Sequence, residues 1–205
     1  MVTSSTALLC WTILFAPVVA GVLVLLFGIH RKKLASFFAI TGLLIAFFSA
    51  VRLFLRARHG ALVLPFEISA AWIDLPGLHI PFGILIDQYS LLMSLVVTGV
   101  GSAIFIYATG YMHDDHAYSR FFGVLSLFAF SMLMIVLANN WIQLFMGWEL
   151  VGFCSYMLIG HWYEKPSAAD AGKKAFMVNR VADFGFILGI AMLWANSSRC
   201  SPSGR

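Results

Sequence analysis

The chain has 205 residues, of which 61% are hydrophobic and only 11% are charged. Soluble domains are about 45–50% apolar and about 25% charged, so this composition excludes an ordinary soluble domain and indicates a membrane protein. The formal net charge of +4 does not indicate nucleic-acid binding, because the basic residues fall in short segments between apolar runs, where they act as topology signals.

The apolar runs predict an all-α polytopic membrane protein with six transmembrane helices. The predicted helices cover residues 7–29, 34–55, 84–111, 120–138, 141–160 and 171–195. The first run lacks a preceding basic cluster and is longer than the apolar core of a signal peptide, so it is predicted to be a retained helix. Residues 59–83 do not form a long apolar run, because the turn-forming residues Pro65, Pro76, Gly77 and Pro81 interrupt them. They predict an extramembrane loop with short extended or hairpin pieces.

The distribution of basic residues predicts an orientation. The segments after the first, third and fifth helices hold seven basic residues, namely Arg31, Lys32, Lys33, Arg120, Lys165, Lys173 and Lys174. The opposite side holds fewer, namely Arg56, Arg58, Arg199 and Arg205. The positive-inside rule therefore places the first set in the cytoplasm and both termini outside it.

Glu149 is the first anomaly in this pattern, because it lies near the middle of the predicted helix at 141–160. A lone acid at the bilayer centre costs about 2.5–3.5 kcal/mol on insertion scales, so its presence favours an ion or proton pathway. At 1.5 Å per residue, Glu149 lies roughly 12–14 Å into the membrane. The alternative is that Glu149 only forms a hydrogen bond with a neighbouring helix.

Arg180 and Asp183 are the second anomaly, inside the predicted helix at 171–195. Their spacing of three residues places them on one helix face. Asp183 is expected at a depth similar to that of Glu149, so that two acids and one arginine on adjacent helices exchange protons through water. The alternative is a structural pair in which Arg180 and Asp183 only neutralise each other.

Other chemistry is not encoded in the motifs. The sequence contains no GxGxxG, phosphate-loop or haem motif, and its cysteines, Cys10, Cys154 and Cys200, form no CxxC. The run from His113 to His116 contains residues that can bind metals, but it is interpreted as a solvated loop.

Several motifs together resemble one family. They are Trp148-Glu149-Leu150-Val151-Gly152, Cys154-Ser155-Tyr156-Met157-Leu158-Ile159-Gly160, Lys173-Lys174-Ala175-Phe176 with Arg180 and Asp183, Phe82-Gly83-Ile84-Leu85-Ile86-Asp87, and Tyr107-Ala108-Thr109-Gly110-Tyr111-Met112. The chain resembles, up to about Trp194, subunit L of bacterial NADH-quinone oxidoreductase (complex I), the counterpart of mitochondrial NADH dehydrogenase subunit 5. The motif around Glu149 is shared with Mrp-type multi-subunit Na⁺/H⁺ antiporters, and the continuation to Asp183 favours complex I.

The resemblance implies roles for the charged residues. Glu149 matches the family's essential membrane glutamate, which exchanges protons and is paired with a lysine on helix seven. Arg180 and Asp183 match charged positions of helix six that tune this pair. The implied cofactors, NADH, FMN, iron–sulfur clusters and quinone, belong to partner subunits, and none is expected in this chain, nor is a metal. The implied partners are the other membrane-arm subunits and the lipid bilayer of the bacterial inner membrane.

The family's fold, two inverted five-helix repeats after leading helices, implies a division of this chain. Residues 1–58 would be leading transmembrane helices, 59–83 an extracytoplasmic loop, and 84–195 the start of the proton-translocating module. Family members are much longer, and the helix-seven lysine has no counterpart here. The polar tail at 196–205 is therefore expected to reflect a truncation, a frameshift or a fragment. An Mrp-type antiporter subunit, a purely structural membrane subunit and a non-functional fragment remain as alternatives.

Overall fold

The computed structural model describes residues 2–28, 31–75 and 78–200. Within them are six helices, each long and apolar enough to cross a membrane, as the sequence predicts. The helices are α1 (Val2–Phe27), α2 (Lys32–Arg58), α3 (Gln88–Tyr111), α4 (Tyr118–Val136), α5 (Trp141–Ile159) and α6 (Pro166–Cys200). Two strands, β1 (Phe66–Leu75) and β2 (Leu78–Ile86), lie between α2 and α3. The positions of His30, Pro76, Gly77 and residues 201–205 lie outside the described residues.

Some predicted boundaries differ from the structure, most clearly those of the third and sixth helices. The third helix begins at Gln88 rather than at residue 84, because residues 84–86 continue β2. The sixth helix begins at Pro166 rather than at 171, since proline is well suited to the first position of a helix. It also continues to Cys200, so the predicted polar tail is helical over residues 196–200.

The chain divides into two compact units, Met1–Cys154 and Ser155–Arg205. In the first unit, α1 and α2 pack closely through small side chains. A Cβ atom at Gly42 would lie 3.0 Å from the carbonyl oxygen of Ala16 and would collide with Ala20. Small residues let two membrane helices approach each other in this way when no water drives their association.

The strands form an antiparallel hairpin in the segment for which the sequence predicts extended pieces. Phe66 lies opposite Ile86, and Ile68 lies opposite Ile84. Ile84 and Ile86 are fully buried, because alternate residues of β2 point into a cluster formed by α1, α2 and α4. The hairpin is therefore part of the core of the first unit rather than a separate loop.

Asp87 ends the hairpin and begins α3. Its carboxylate accepts a hydrogen bond from the Ser90 backbone N–H at 2.6 Å, and the Ser90 hydroxyl accepts one from the Asp87 N–H at 2.7 Å. This reciprocal pair is a capping box, which satisfies two donors that the first helical turn leaves without partners. The Ser90 N–H also lowers the pKa of the Asp87 carboxyl group below its usual value.

The second unit consists of the end of α5 and the whole of α6. A Cβ atom at Gly172 would lie 3.4 Å from the Cα atom of Gly160, so the backbones are close at this point. Farther along α6, the rings of Tyr156 and Phe176 pack with centroids 5.4 Å apart. These contacts hold the first half of α6 against the end of α5.

Candidate functional site

One face of α5 is fixed against α4 in the first unit. The buried residues of α5 are Gln143, Gly147 and Cys154, whose spacing of four and seven residues defines a single face. A Cβ atom at Gly147 would lie 2.9 Å from Cγ1 of Ile135 and 3.3 Å from the carbonyl oxygen of Ser131. Glycine is therefore required for α5 to lie this close to α4.

Glu149 lies on the other side of α5. Two residues rotate a helix by about 200°, so the Glu149 side chain points away from the Gly147 contact with α4. The residue is half-buried. It follows Trp141 by eight residues and precedes Ile159 by ten, which places it about 12 Å and about 15 Å from the two ends of α5. A carboxyl group thus lies near the centre of a helix that is long enough to span the membrane.

Arg180 and Asp183 form an ion pair on α6, as their spacing predicts. Nη1 of Arg180 lies 3.7 Å from Oδ2 of Asp183. The guanidinium group also lies 4.6 Å from the ring centroid of Phe176, an arrangement in which the aromatic face attracts the cation. The Asp183 side chain is 8% exposed and that of Arg180 is 39% exposed, so the acid is the buried member of the pair.

The burial of Asp183 is unusual for α6. Its neighbours Val181 and Phe184 are 76% and 67% exposed. Among the described side chains of this helix, Asp183 alone is buried, the other buried residue being Gly172, which has no side chain. Most apolar side chains of α6 are exposed, as expected for a helix surrounded by lipid or by other membrane helices, whereas the Asp183 carboxylate is buried.

The charged residues nearer the start of α6 behave differently. Lys173 and Asp170 lie 3.6 Å apart, and their side chains are 72% and 64% exposed. Such a pair is typical of a solvated helix end. Asp183 follows Lys174 by nine residues, or about 13 Å along the helix, which is close to half of the roughly 30 Å hydrocarbon thickness.

The structure therefore brings two of the three predicted site residues together, Arg180 with Asp183. Glu149 belongs to the first unit and the ion pair to the second, so an exchange of protons between them stays a prediction. Sequence reasoning missed Gln143, a fully buried amide in α5. The available signal was an uncharged polar residue inside an apolar run, which needs a hydrogen-bond partner when it is buried.

The segment from His113 to His116 forms the turn between α3 and α4. The Asp115 carboxylate accepts a hydrogen bond from the Ala117 N–H at 2.6 Å, and Lys32 donates to the His113 carbonyl oxygen at 2.9 Å. Over the part of the chain that the structure describes, no three histidine, cysteine or acidic residues are grouped so that they could hold a metal ion. The contacts of this turn hold the loop in place.

Six helices long and apolar enough to cross a membrane, with carboxyl groups buried or half-buried within α5 and α6, define a polytopic membrane protein. Two family descriptions match the sequence. Residues 72–122 match the N-terminus of chain 5 of NADH-ubiquinone oxidoreductase (complex I), and residues 138–201 match the transmembrane region of the NADH:quinone oxidoreductase/Mrp antiporter family.

Individual relatives agree with these matches. NADH-quinone oxidoreductase subunit L of Mycobacterium tuberculosis is 41% identical over 207 residues, which cover 100% of this chain and 32% of the relative. The subunit L of Neisseria meningitidis is 52% identical over 60% of this chain and 18% of its own length, and that of Rickettsia typhi is 45% identical over 87% and 27%. The chain belongs to the family of NADH-quinone oxidoreductase subunit L and chain 5, and corresponds to the N-terminal part of these proteins. The matched segments span between 18% and 32% of the length of these relatives.

The fold also has a counterpart among solved structures. The membrane-bound sulfane sulfur reductase, an archaeal respiratory membrane complex, contains a chain that matches with a TM-score of 0.70. The match covers 91% of this chain and 28% of the other, at 16% sequence identity. At that identity the likeness concerns the fold alone.

Proposed function

We propose that the chain is the N-terminal part of a proton-translocating membrane-arm subunit of NADH-quinone oxidoreductase, and that Glu149 carries the proton. The observation that carries this proposal is the carboxyl group near the centre of α5, on the face that points away from α4. An acid at that depth is costly and is normally retained for ion or proton transfer.

In this mechanism Glu149 accepts a proton through a hydrated path from one side of the membrane and releases it to the other. The release needs a change in the charge near the carboxyl group, because a nearby cation favours its ionised form and a nearby anion disfavours it. Arg180 and Asp183 are the charged groups on α6 that we assign to this control. Moving a proton against a potential of 100 mV costs about 2.3 kcal/mol, which the redox reaction supplies.

The redox reaction belongs to partner subunits in this proposal. NADH, FMN, iron–sulfur clusters and quinone are bound there, and the other membrane-arm subunits transmit the energy to this chain. The distribution of basic residues supports an orientation with both termini outside the cytoplasm, and the similarity to bacterial relatives supports a location in the bacterial inner membrane. Lys173 fits this orientation, since its exposed side chain lies at the start of α6, on the side assigned to the cytoplasm.

A second candidate is a subunit of an Mrp-type Na⁺/H⁺ antiporter, which has no redox partners. The observation in its favour is the match at residues 138–201, whose family description covers both kinds of complex. This segment includes Glu149, Arg180 and Asp183, so the charged residues alone do not separate the candidates. Proton movement driven by NADH oxidation separates them, because the antiporter instead exchanges protons for Na⁺ without NADH.

The test is a Glu149→Gln substitution in the gene that encodes this chain, measured in membrane vesicles from its native host. Glutamine has nearly the same shape and cannot carry a proton. We expect the complex to assemble while the number of protons translocated per NADH oxidised falls at least several-fold. An unchanged number of protons per NADH would contradict the proposal. Proton uptake that follows a Na⁺ gradient without NADH would favour the antiporter.

A further inference from the structure

The turn between α4 and α5 is bound to the β-hairpin as if it were a third strand. The Leu85 N–H donates a hydrogen bond to the Leu137 carbonyl oxygen at 3.0 Å, and Ile84 forms an antiparallel bridge with Ala138. The hairpin edge, which would otherwise present unpaired backbone groups, is covered by the segment that leads into α5.

Gln143, in the first turn of α5, binds both peptide groups of a single hairpin residue. The Gly83 N–H donates to Oε1 of Gln143 at 3.0 Å, and Nε2 of Gln143 donates to the Gly83 carbonyl oxygen at 2.8 Å. Gln143 is 1% exposed. An amide is suited to this arrangement, because it offers one acceptor and one donor side by side, as a neighbouring strand does.

Glycine at position 83 is required for this contact. A Cβ atom there would lie 2.7 Å from the Ile68 carbonyl oxygen and would collide with the Asn139 amide group. The backbone of β2 can therefore reach the α4–α5 turn only if residue 83 has no side chain.

Two asparagines complete the connection. Asn140 donates to the Pro81 carbonyl oxygen at 2.7 Å, and its Oδ1 accepts from the Gln143 N–H at 2.8 Å, which caps the start of α5. Asn139 donates to the Glu67 carboxylate at 3.0 Å. We call Gln143, Asn139 and Asn140 together the amide clamp. The clamp joins α5 to both strands of the hairpin.

The clamp and the Gly147 contact restrict different motions of α5. Close packing of Gly147 on α4 limits the distance between these helices. The two hydrogen bonds of Gln143 fix the position of α5 along its axis and its rotation, because a shift of one residue would move each side chain by about 1.5 Å and about 100°. Glu149 follows Gln143 by six residues, or about 9 Å.

We propose that Gln143 is a positioning residue for proton transfer: its paired hydrogen bonds to Gly83 hold α5 against the hairpin and thereby hold the Glu149 carboxyl group in the proton path. The inference rests on the proposed function of Glu149. Misplacement by about 1 Å can cost a large factor in rate when a group must meet its partner in a defined geometry.

The test compares two variants made in the gene for this chain. Gln143→Leu has a similar volume and forms neither hydrogen bond. Gln143→Glu retains both in its protonated form, because a carboxylic acid has one acceptor and one O–H donor, and loses one on ionisation. Assembled complex is quantified by its NADH oxidation with an artificial electron acceptor. Proton translocation per NADH is then measured across a range of pH values.

We expect Gln143→Leu to assemble and to translocate several-fold fewer protons per NADH at every pH. We expect the proton translocation per NADH of Gln143→Glu to be close to that of the unmodified protein at acidic pH. As the pH rises, this translocation should be lost reversibly. Two other carboxyl groups belong to the same part of the chain, that of Glu67 on β1, which Asn139 binds, and that of Glu149 on α5. The control is therefore Glu67→Gln combined with Gln143→Glu, in which the pH dependence of proton translocation must persist.

Normal translocation by Gln143→Leu at all pH values would overturn the inference, since the clamp would then be a scaffold. Loss of the complex in both Gln143 variants would overturn it too, because Gln143 would then be needed for folding. Glu149→Gln is measured in parallel. If Glu149→Gln is inactive and Gln143→Leu is normal, only the present inference fails, whereas normal translocation by Glu149→Gln removes the proposed function on which it rests.

Discussion

The helix pair α1–α2 and helix α6 have opposite burial patterns. Where α1 meets α2, small apolar residues are buried, among them Ala20, Ala35, Ala39, Ala46 and Ala50. In α6 most apolar residues are exposed, and the buried side chain among those described is the carboxylate of Asp183.

This difference separates two helices that bury small apolar residues against each other from a helix that buries a charged side chain. Close packing of small residues gives α1 and α2 many apolar contacts, and the buried Thr6 hydroxyl of α1 accepts a hydrogen bond from Arg56 of α2. A buried carboxylate gives up hydration and depends on its partner, so it contributes little to stability on its own. The comparison therefore predicts that substitutions in the two kinds of region change different measured quantities.

The largest effect on stability is expected from separating the α6 pair. Arg180→Leu or Asp183→Leu leaves one charge without its partner, and breaking a buried pair costs about 3–5 kcal/mol. Because Arg180 is 39% exposed, the expected cost lies below that range. The measurement is the amount of the chain in the membrane and its thermal midpoint.

The double substitution Arg180→Leu with Asp183→Leu tests the purpose of this pair. It removes both charges, so we expect most of the lost stability to return while proton translocation stays low. A double variant that translocates protons normally would assign the pair to structure alone, which is the alternative interpretation that the sequence leaves open.

The next effect concerns Gly147. Gly147→Val adds a branched side chain where Ile135 already lies 2.9 Å from an ideal Cβ position. Such overpacking typically costs about 1–3 kcal/mol and would push α5 away from α4. Gly110→Val is the matched control, because nothing lies within 4 Å of a Cβ atom at Gly110. Thermal unfolding of both variants checks the prediction, and equal midpoints would contradict it.

Much of the membrane architecture follows from the sequence, and the reasons for the exceptions are specific. Uninterrupted apolar runs predict all six helices, and Asp87 marks the beginning of α3. Residues 84–86 are apolar and adjoin a helix, so composition alone does not separate them from α3. The preference of proline for the first helical position is the sequence signal that predicts the start of α6 at Pro166.

The contacts of the candidate site also differ in whether the sequence predicts them. Helical periodicity alone predicts the Arg180–Asp183 pair, because both residues lie on one helix. The partner of Gln143 is Gly83, which is 60 residues away in the sequence, and no local pattern contains this information. Contacts formed by the folding of distant segments become visible only in the structure.

A smaller effect is expected at the start of α3. Asp87→Ala removes the helix cap and should destabilise the protein by about 1 kcal/mol. The pKa of Asp87 is lowered in the folded state, so the ionised cap stabilises the protein above the unfolded-state pKa. That contribution is lost as the pH falls through the lower, folded-state pKa. Asp87→Asn should keep the cap and lose this acid dependence, which thermal midpoints between about pH 6 and about pH 3 would measure.

The smallest effect is expected for the solvated pair at the start of α6. Lys173→Ala removes an ion pair in which both side chains are largely exposed. Such pairs contribute about 0.3–0.5 kcal/mol, and salt screens them. We expect no measurable change in proton translocation. A large loss would show that Lys173 does more than interact with Asp170 and the membrane surface.

A comparison of two acids tests whether Glu149 carries the proton. Glu149→Gln removes the carboxyl group in the middle of α5, and Glu67→Gln removes the one that Asn139 binds on the hairpin. Protons translocated per NADH oxidised are measured for both in vesicles with equal amounts of assembled complex. We expect the number of protons translocated per NADH to fall at least several-fold in Glu149→Gln and to stay nearly unchanged in Glu67→Gln. An unchanged ratio for Glu149→Gln would contradict the proposal.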